Sequence, residues 1–192
     1  MNFALALSRA VTISNGAEGF AAKAFLDTFA RPPKWTIGHG TTLIDGYPVA
    51  PYMTCTEAQA DAWAIKDMTD AAHYVEAAVH VPLSEWELAA LTSLTYNIGI
   101  GHFRESSVLS ALNCGDPEQA ADNILLYDHG ENGEVLEGLR RRRERERGAF
   151  LLGMGKYVSV GAPVLPPKAA PAPLSAADVL NQDVLDGTPI PT

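Results

Sequence analysis

Two four-residue signatures constrain this chain more than any other feature: Thr56-Glu57-Ala58-Gln59 and Ser84-Glu85-Trp86-Glu87. In each, a hydroxyl residue is followed three positions later by Gln or Glu. That is the capping box, in which side chains and backbone at a helix start satisfy each other's hydrogen bonds. The first opens a stripe of Ala60, Trp63, Ala64, Met68, Ala71, Ala72 and Val75, spaced at the helical period and running towards Val79; Pro82 ends the region. The second opens a helix carrying Leu88, Leu91, Leu94 and Thr95, which stops near Gly99. Asp116-Pro117 reads as an N-cap with proline in the first helical position, leading a helix through Leu125. Leu139 to Leu152 reads as the last helix, stopped by Gly153, and a first helix is expected to end at Glu18. The only strand-like stretch is Lys34 to Val49, where Trp35, Ile37 and Leu43 alternate with turn residues such as Gly38, Gly40 and Asp45-Gly46. The expected fold class is α+β, mainly α, with a small β-hairpin set among helices.

From Val160 onward the composition changes. The last 33 residues hold seven of the 13 prolines, interleaved with alanine. Proline lacks the N–H and fixes φ, so this stretch cannot be helix or central strand. The expected organisation is a folded domain over residues 1–156 and an extended or disordered Pro/Ala-rich tail over 157–192. A domain of that size buries enough surface to fold without disulfides or metals.

Charge narrows the function. The net charge is −9, and the one basic cluster is Arg140 to Arg147, with six Arg and two Glu. A nucleic-acid binder normally shows a basic face and a high pI, so no nucleic-acid partner is expected. No apolar run is long enough for a membrane span. The N-terminus shows no clear secretory signal, and synthesis in a cytoplasm is expected. Cys55 and Cys114 form no metal-binding pattern with the scattered histidines, and both are expected to be reduced and partly buried.

The chemistry concentrates in Glu18 to Thr42. Glu18 is followed nine residues later by Asp27, and a threonine, Thr36, begins a Gly-rich strand. Two carboxylates and a hydroxyl beside a small hairpin suit glycoside hydrolysis. That reaction takes a protonated acid at the leaving oxygen and a carboxylate acting on water or on carbon. On spacing alone, such a pair is more often the solvated face of a helix.

Three blocks in order resolve this. Glu18-Gly19, Asp27, Thr36-Ile37-Gly38-His39-Gly40 and Thr42 form the first. Leu88 to Asn97-Ile98-Gly99, Phe103, Ser106-Ser107 and Leu112-Asn113 form the second. Gly138-Leu139, Arg142-Arg143 and Glu146 form the third. Together they resemble the phage-type lysozymes, glycoside hydrolase family 24, over roughly Glu18 to Phe150. The resemblance implies a two-lobed lysozyme-like domain, with a hairpin-bearing lobe, a helical lobe and a cleft between them. It implies an endolysin cleaving the β-1,4 bond between N-acetylmuramic acid and N-acetylglucosamine in peptidoglycan, for host cell lysis. Glu18 matches the general acid, Asp27 the second carboxylate and Thr36 a hydroxyl that helps hold the attacking water. Asn97 matches a residue facing the saccharide, with a plain helix terminator as the other reading. Arg142 matches an arginine beside the acid and is assigned with Asn97 to substrate binding. The resemblance implies no metal or cofactor, no stable membrane insertion, a monomer, and an enzyme held in the host cytoplasm until a membrane lesion releases it to the wall.

An acid working near neutral pH needs desolvation, while its partner stays ionised in a wetter place. Phe20, Phe25, Trp35 and Ile37 are the expected apolar wall. A carboxylate separation of about 6.5–9.5 Å would favour inversion and about 5–5.5 Å retention. Two features depart from the family. The gap from Asp27 to Thr36 is longer than usual, with the extra residues around Arg31 to Lys34. Thr41 stands where many members carry histidine, and His39, between the two glycines, is expected to be structural. The Arg run is expected to be mostly a solvated helix face paired with Glu144 and Glu146. The rival readings are a lytic transglycosylase-type enzyme, which can dispense with Asp27, a non-catalytic peptidoglycan-binding virion module, and a structural helical protein whose motif is coincidental.

Overall fold

The computed structural model describes residues 1–14, 19–28, 32–130 and 133–155. Glu18 and the Pro/Ala-rich stretch from 157 lie outside the described residues. Seven helices and four short strands are described, in the order α1 (Phe3–Ser14), β1 (Ala21–Asp27), β2 (Lys34–Gly38), β3 (Leu43–Ile44), β4 (Tyr47–Pro48), α2 (Glu57–Ala78), α3 (Glu85–Ile98), α4 (Ile100–Arg104), α5 (Ser107–Asn113), α6 (Pro117–Ile124) and α7 (Glu137–Gly153). The mainly helical α+β architecture agrees with the sequence.

Both capping boxes form. Thr56 accepts from the Gln59 N–H and Ser84 from the Glu87 N–H, and the Gln59 and Glu87 side chains reach back to the cap backbones. Asp116 caps α6 through the Gln119 N–H, with Pro117 in the first turn. Ser106 caps α5 through the Leu109 N–H. Gly99 takes φ +85° where α3 ends, a conformation strained for residues with a Cβ.

α3 is the axis of the helical part. Leu88 to Thr95 are buried without interruption, and the helix packs against α1, α2 and α7. A helix buried all round belongs in the interior. Around it Ala6, Ala10 and Ile13 of α1, Val75 of α2, Phe103 of α4 and Phe150 of α7 complete one core.

Three expectations need correction. Ala21–Asp27 is a strand, not part of a helical stretch, so Lys34 to Val49 is not the only β region. Its Ala-rich sequence lacks β-branched residues. It is extended because it pairs antiparallel with β2 on one side, while Ala24 and Ala22 exchange backbone bonds with Met53 and Cys55 on the other. Tertiary pairing overrides local preference here. Second, the charged face of α7 is not wholly solvated: Arg142, Arg143 and Glu146 are buried. They escape the usual penalty by pairing with one another. Third, Cys114 is exposed rather than partly buried, while Cys55 is half-buried; both are free thiols.

Candidate active site

The β1–β2 hairpin sets the geometry of the site. Phe25 faces Thr36 across the ladder, and Asp27 faces Lys34. Side chains alternate between the two faces of a strand, so Phe25, Asp27 and Thr36 share one face and Trp35 and Ile37 share the other. A cleft of about 850 Å³ opens on the first face, and Phe25, Asp27 and Thr36 line it. Ile37 is fully buried instead, and neither it nor Trp35 reaches the cleft. Of the four residues expected to form the apolar wall, only Phe20 and Phe25 line the cleft, where Leu43 and Ile100 join them. Thr36 is nearly buried, with its hydroxyl 3.4 Å from the Lys34 carbonyl, a long donation that leaves the group able to turn to a ligand.

Gly38 fixes how the hairpin meets α2. It has φ +65°, and a Cβ placed on it would lie 2.7 Å from the Cβ of Ala60. Only glycine permits both the backbone conformation and this approach. Beyond it the chain turns through His39 and Gly40, and Ile37 and Thr41 exchange two backbone bonds of 3.0 Å that close the turn.

The opposite wall comes from α2, α3 and the start of α4. Asp67, Asp70 and Ala71 line it from α2, and Thr95, Tyr96 and Asn97 from α3. Asn97 is held from behind, where Arg143 Nη2 donates to its Oδ1 at 2.6 Å. Burial holds the Arg143 guanidinium down to about 10. Asp67 is the carboxylate of this wall whose environment matters most: burial, and then the neighbouring Asp70, push its carboxyl above the usual range. Asp67, Asp70 and Tyr96 went unnoticed in the sequence. The available signal was the Asp67–Asp70 pair, one helical turn apart beside the apolar stripe of α2.

Of the five residues singled out beforehand, the structure brings Asp27, Thr36 and Asn97 to one cleft. Glu18 lies outside the described residues; Gly19, the next residue in the chain, lines the cleft. Arg142 does not line it. It is 1% exposed, with Nε donating to Glu146 Oε1 at 3.1 Å and Nη2 donating to Ser14 Oγ at 3.0 Å and to the Ser93 carbonyl at 3.2 Å. Ser93 in turn donates to Glu146 Oε1 at 2.7 Å. Glu146 is thus flanked by Arg142 and Arg143. Burial pushes its carboxyl up, against the pull of both guanidiniums. Outside this cluster the Arg run is a surface. Arg140 and Arg141 pair with Glu137, which they hold down to about 2, and Arg147 pairs with Asp122. Among the described residues no three His, Cys, Asp or Glu side chains gather in a group that could hold a metal, and no helix is long and apolar enough to cross a membrane.

A family model described as phage lysozyme matches residues 15–146. The endolysin of Salmonella phage P22 is 36% identical over 145 residues, covering 75% of this chain and 96% of that protein. The endolysin of Bacillus phage B103 is 32% identical over 142 residues, covering 74% of this chain but 52% of that longer protein, so the chain spans about half its length. Among solved structures, the endolysin from Escherichia coli O157:H7 phage FAHEc1 superposes with a TM-score of 0.63 at 29% identity, covering 82% of this chain and 97% of the other. The matched segment takes in the hairpin, α2, α3 and the Arg142–Glu146 cluster of α7, the same elements that build the cleft and the packing behind it. The chain belongs to the phage lysozyme family and is a lysozyme-type glycosidase with the muralytic, cell-lysing function of an endolysin.

Proposed function

We propose that this enzyme hydrolyses the β-1,4 bond between N-acetylmuramic acid and N-acetylglucosamine, with Glu18 as general acid, Asp27 as the second carboxylate and Thr36 helping to hold the attacking water. The observation that carries this reading is the convergence of Asp27, Thr36 and Gly19, the chain neighbour of Glu18, on one cleft. In the proposed reaction Glu18 gives its proton to the leaving glycosidic oxygen as the C1–O bond breaks. The oxocarbenium-like centre is captured by water, whose own proton passes to a base. Asp27 carries the negative charge that favours the developing cation, and Thr36 accepts or donates one hydrogen bond to the water. Phe20 and Phe25 supply apolar surface against which sugar rings lie and from which water is displaced.

Asn97 and Arg142 complete the reading in different ways. With its Oδ1 engaged by Arg143, Asn97 has its N–H₂ to offer, which suits the carbonyl of an N-acetyl group. Arg142, buried behind the cleft with Ser14, Ser93 and Glu146, acts on substrate only through the groups it holds. The active unit is residues 1–156, working as a monomer. Delivery to the wall follows release from the host cytoplasm through a lesion made by another protein.

The products test the bond and the chemistry together. Purified peptidoglycan digested by the enzyme is expected to yield fragments ending in reducing N-acetylmuramic acid, seen by mass spectrometry after borohydride reduction. Fragments ending in 1,6-anhydro-N-acetylmuramic acid would replace hydrolysis with the transglycosylase reaction. Reducing N-acetylglucosamine ends would move the cut to the other bond.

A further inference from the structure

His39 is the one residue of the Gly38–His39–Gly40 turn whose side chain reaches three parts of the site. Its ring lines the cleft and is 19% exposed. Nε2 lies 3.0 Å from Asp61 Oδ1 on α2, and Nδ1 lies 3.4 Å from the carbonyl oxygen of Gly19. The ring sits 5.8 Å from that of Phe20, and the His39 carbonyl accepts from the Tyr96 hydroxyl of α3 at 3.2 Å. Both ring nitrogens therefore face acceptors. An imidazolium has two N–H donors and satisfies both, whereas a neutral ring satisfies one and turns a lone pair to the other.

The pair does not hold the fold together. Asp61 is 61% exposed, and an ion pair this open to water adds little stability. What it does fix is a place. Asp61 is rooted in α2, His39 is pinned at its backbone by Tyr96, and the ring carries that anchorage to the Gly19–Phe20 peptide. A catalytic acid must be held to within about 0.5 Å of its working position, and its supporting contacts decide whether it is.

We propose that His39, oriented by Asp61, is a positioning residue for the glycosidic reaction: it holds the carbonyl of Gly19, the residue next in sequence to the general acid. The proposal rests on the reading of Glu18 as that acid. His39 touches neither the acid's proton nor the scissile bond in this role. Its loss therefore weakens transition-state stabilisation while leaving substrate affinity nearly intact.

The test uses kcat and KM on soluble glycan-strand fragments of peptidoglycan, with the full chain. His39→Phe keeps the ring against Phe20 and removes both ring nitrogens. It is expected to lower kcat about tenfold, as displaced catalytic groups do, with KM within about twofold. His39→Gln, which can donate to one acceptor at a time, should fall between it and the wild type. Asp61→Asn, on an exposed position, should lower kcat about threefold in the wild type and have no further effect in the His39→Phe background, as coupled residues do. The amide resonance of Phe20, the N–H of the peptide whose carbonyl faces His39, should move in both single variants. A kcat within about twofold of wild type for His39→Phe, or an Asp61→Asn effect undiminished in the double variant, overturns the proposal. Should His39→Phe fail to fold, an unchanged kcat and an unmoved Phe20 resonance in Asp61→Asn overturn it equally. Glu18→Gln separates the two readings. If that variant keeps wild-type kcat, the assignment of the acid fails and the positioning role falls with it. If it is inactive while His39→Phe is normal, the positioning role alone fails.

Discussion

Arg143 reaches from the buried face of α7 to the amide oxygen of Asn97, 2.6 Å away, so a residue of the cleft wall is held from inside the helical core. Removing the acceptor strands a buried donor, which costs about 1–3 kcal/mol. Asn97→Ala should therefore lower stability by that amount and also raise KM. Asn97→Asp, which keeps an acceptor for Arg143, should restore stability while changing the group offered to substrate. Urea unfolding with KM measurement on the same preparations separates the two effects.

Glu146 lies between two guanidiniums and takes a 2.7 Å hydrogen bond from Ser93. Taking one partner out of a buried ion cluster typically costs about 3–5 kcal/mol, because the remaining charges stay buried and uncompensated. Glu146→Ala should show a loss of that size in the urea midpoint, or fail to accumulate as folded protein. A loss below about 1 kcal/mol would show that water reaches Arg142 and Arg143 when the carboxylate is gone.

Gly38→Ala tests the junction between hairpin and α2. The new methyl would meet the Ala60 Cβ at 2.7 Å, on a backbone with φ +65°. Overpacking and left-handed strain each cost about 1–3 kcal/mol. Stability should fall by about 2–4 kcal/mol, and kcat more than KM, because the hairpin that presents Asp27 and Thr36 is displaced. Gly38→Ala combined with Ala60→Gly should recover part of the steric loss but not the backbone strain.

Asp67 gives the pH dependence its sign. Burial and Asp70 raise its folded pKa above the unfolded value, so ionised Asp67 opposes folding. Its contribution to stability is greatest at low pH, where it is protonated in both states, and is lost as pH rises through its range. Asp67→Asn should therefore raise the melting temperature of the substrate-free enzyme at pH 7 by about 1–3 °C. The gain should vanish near pH 3, below the ordinary carboxylate range of about 4. A gain equal at both pH values would trace it to something other than the charge.

The helix starts were legible because their causes are local: Thr56 with Gln59, Ser84 with Glu87 and Asp116 with Pro117 each carry a complete cap within four residues. β1 was not, because Ala21 to Asp27 is extended only through its partners in β2 and in the segment before α2. The same distinction runs through the site. Asp27 and Thr36 stand in a motif that reads along the chain, while Asp67, Asp70 and Tyr96 reach the cleft by the way α2 and α3 pack. Charge misled in one place: the Arg run was expected to be mostly solvated face and Arg142 to meet substrate, whereas Arg142, Arg143 and Glu146 are buried, a burial that their pairing with Ser14, Ser93 and Asn97 offsets in three dimensions.

Truncation after Lys156 tests the proposed extent of the catalytic unit. The Pro/Ala composition beyond it offers little apolar surface to bury, so residues 1–156 should retain the melting temperature to within about 2 °C and full activity on purified peptidoglycan. A larger drop would place the residues beyond 156 among those that stabilise the enzyme.

Turnover of purified peptidoglycan by Glu18→Gln is the most direct measurement of the central claim. The substitution keeps size and polarity and removes the transferable proton. The account predicts a loss of about 10²–10⁴-fold in rate, the usual worth of a general acid, with folding and peptidoglycan binding retained. Activity within about threefold of the wild type would contradict it and take Glu18 out of the acid's role.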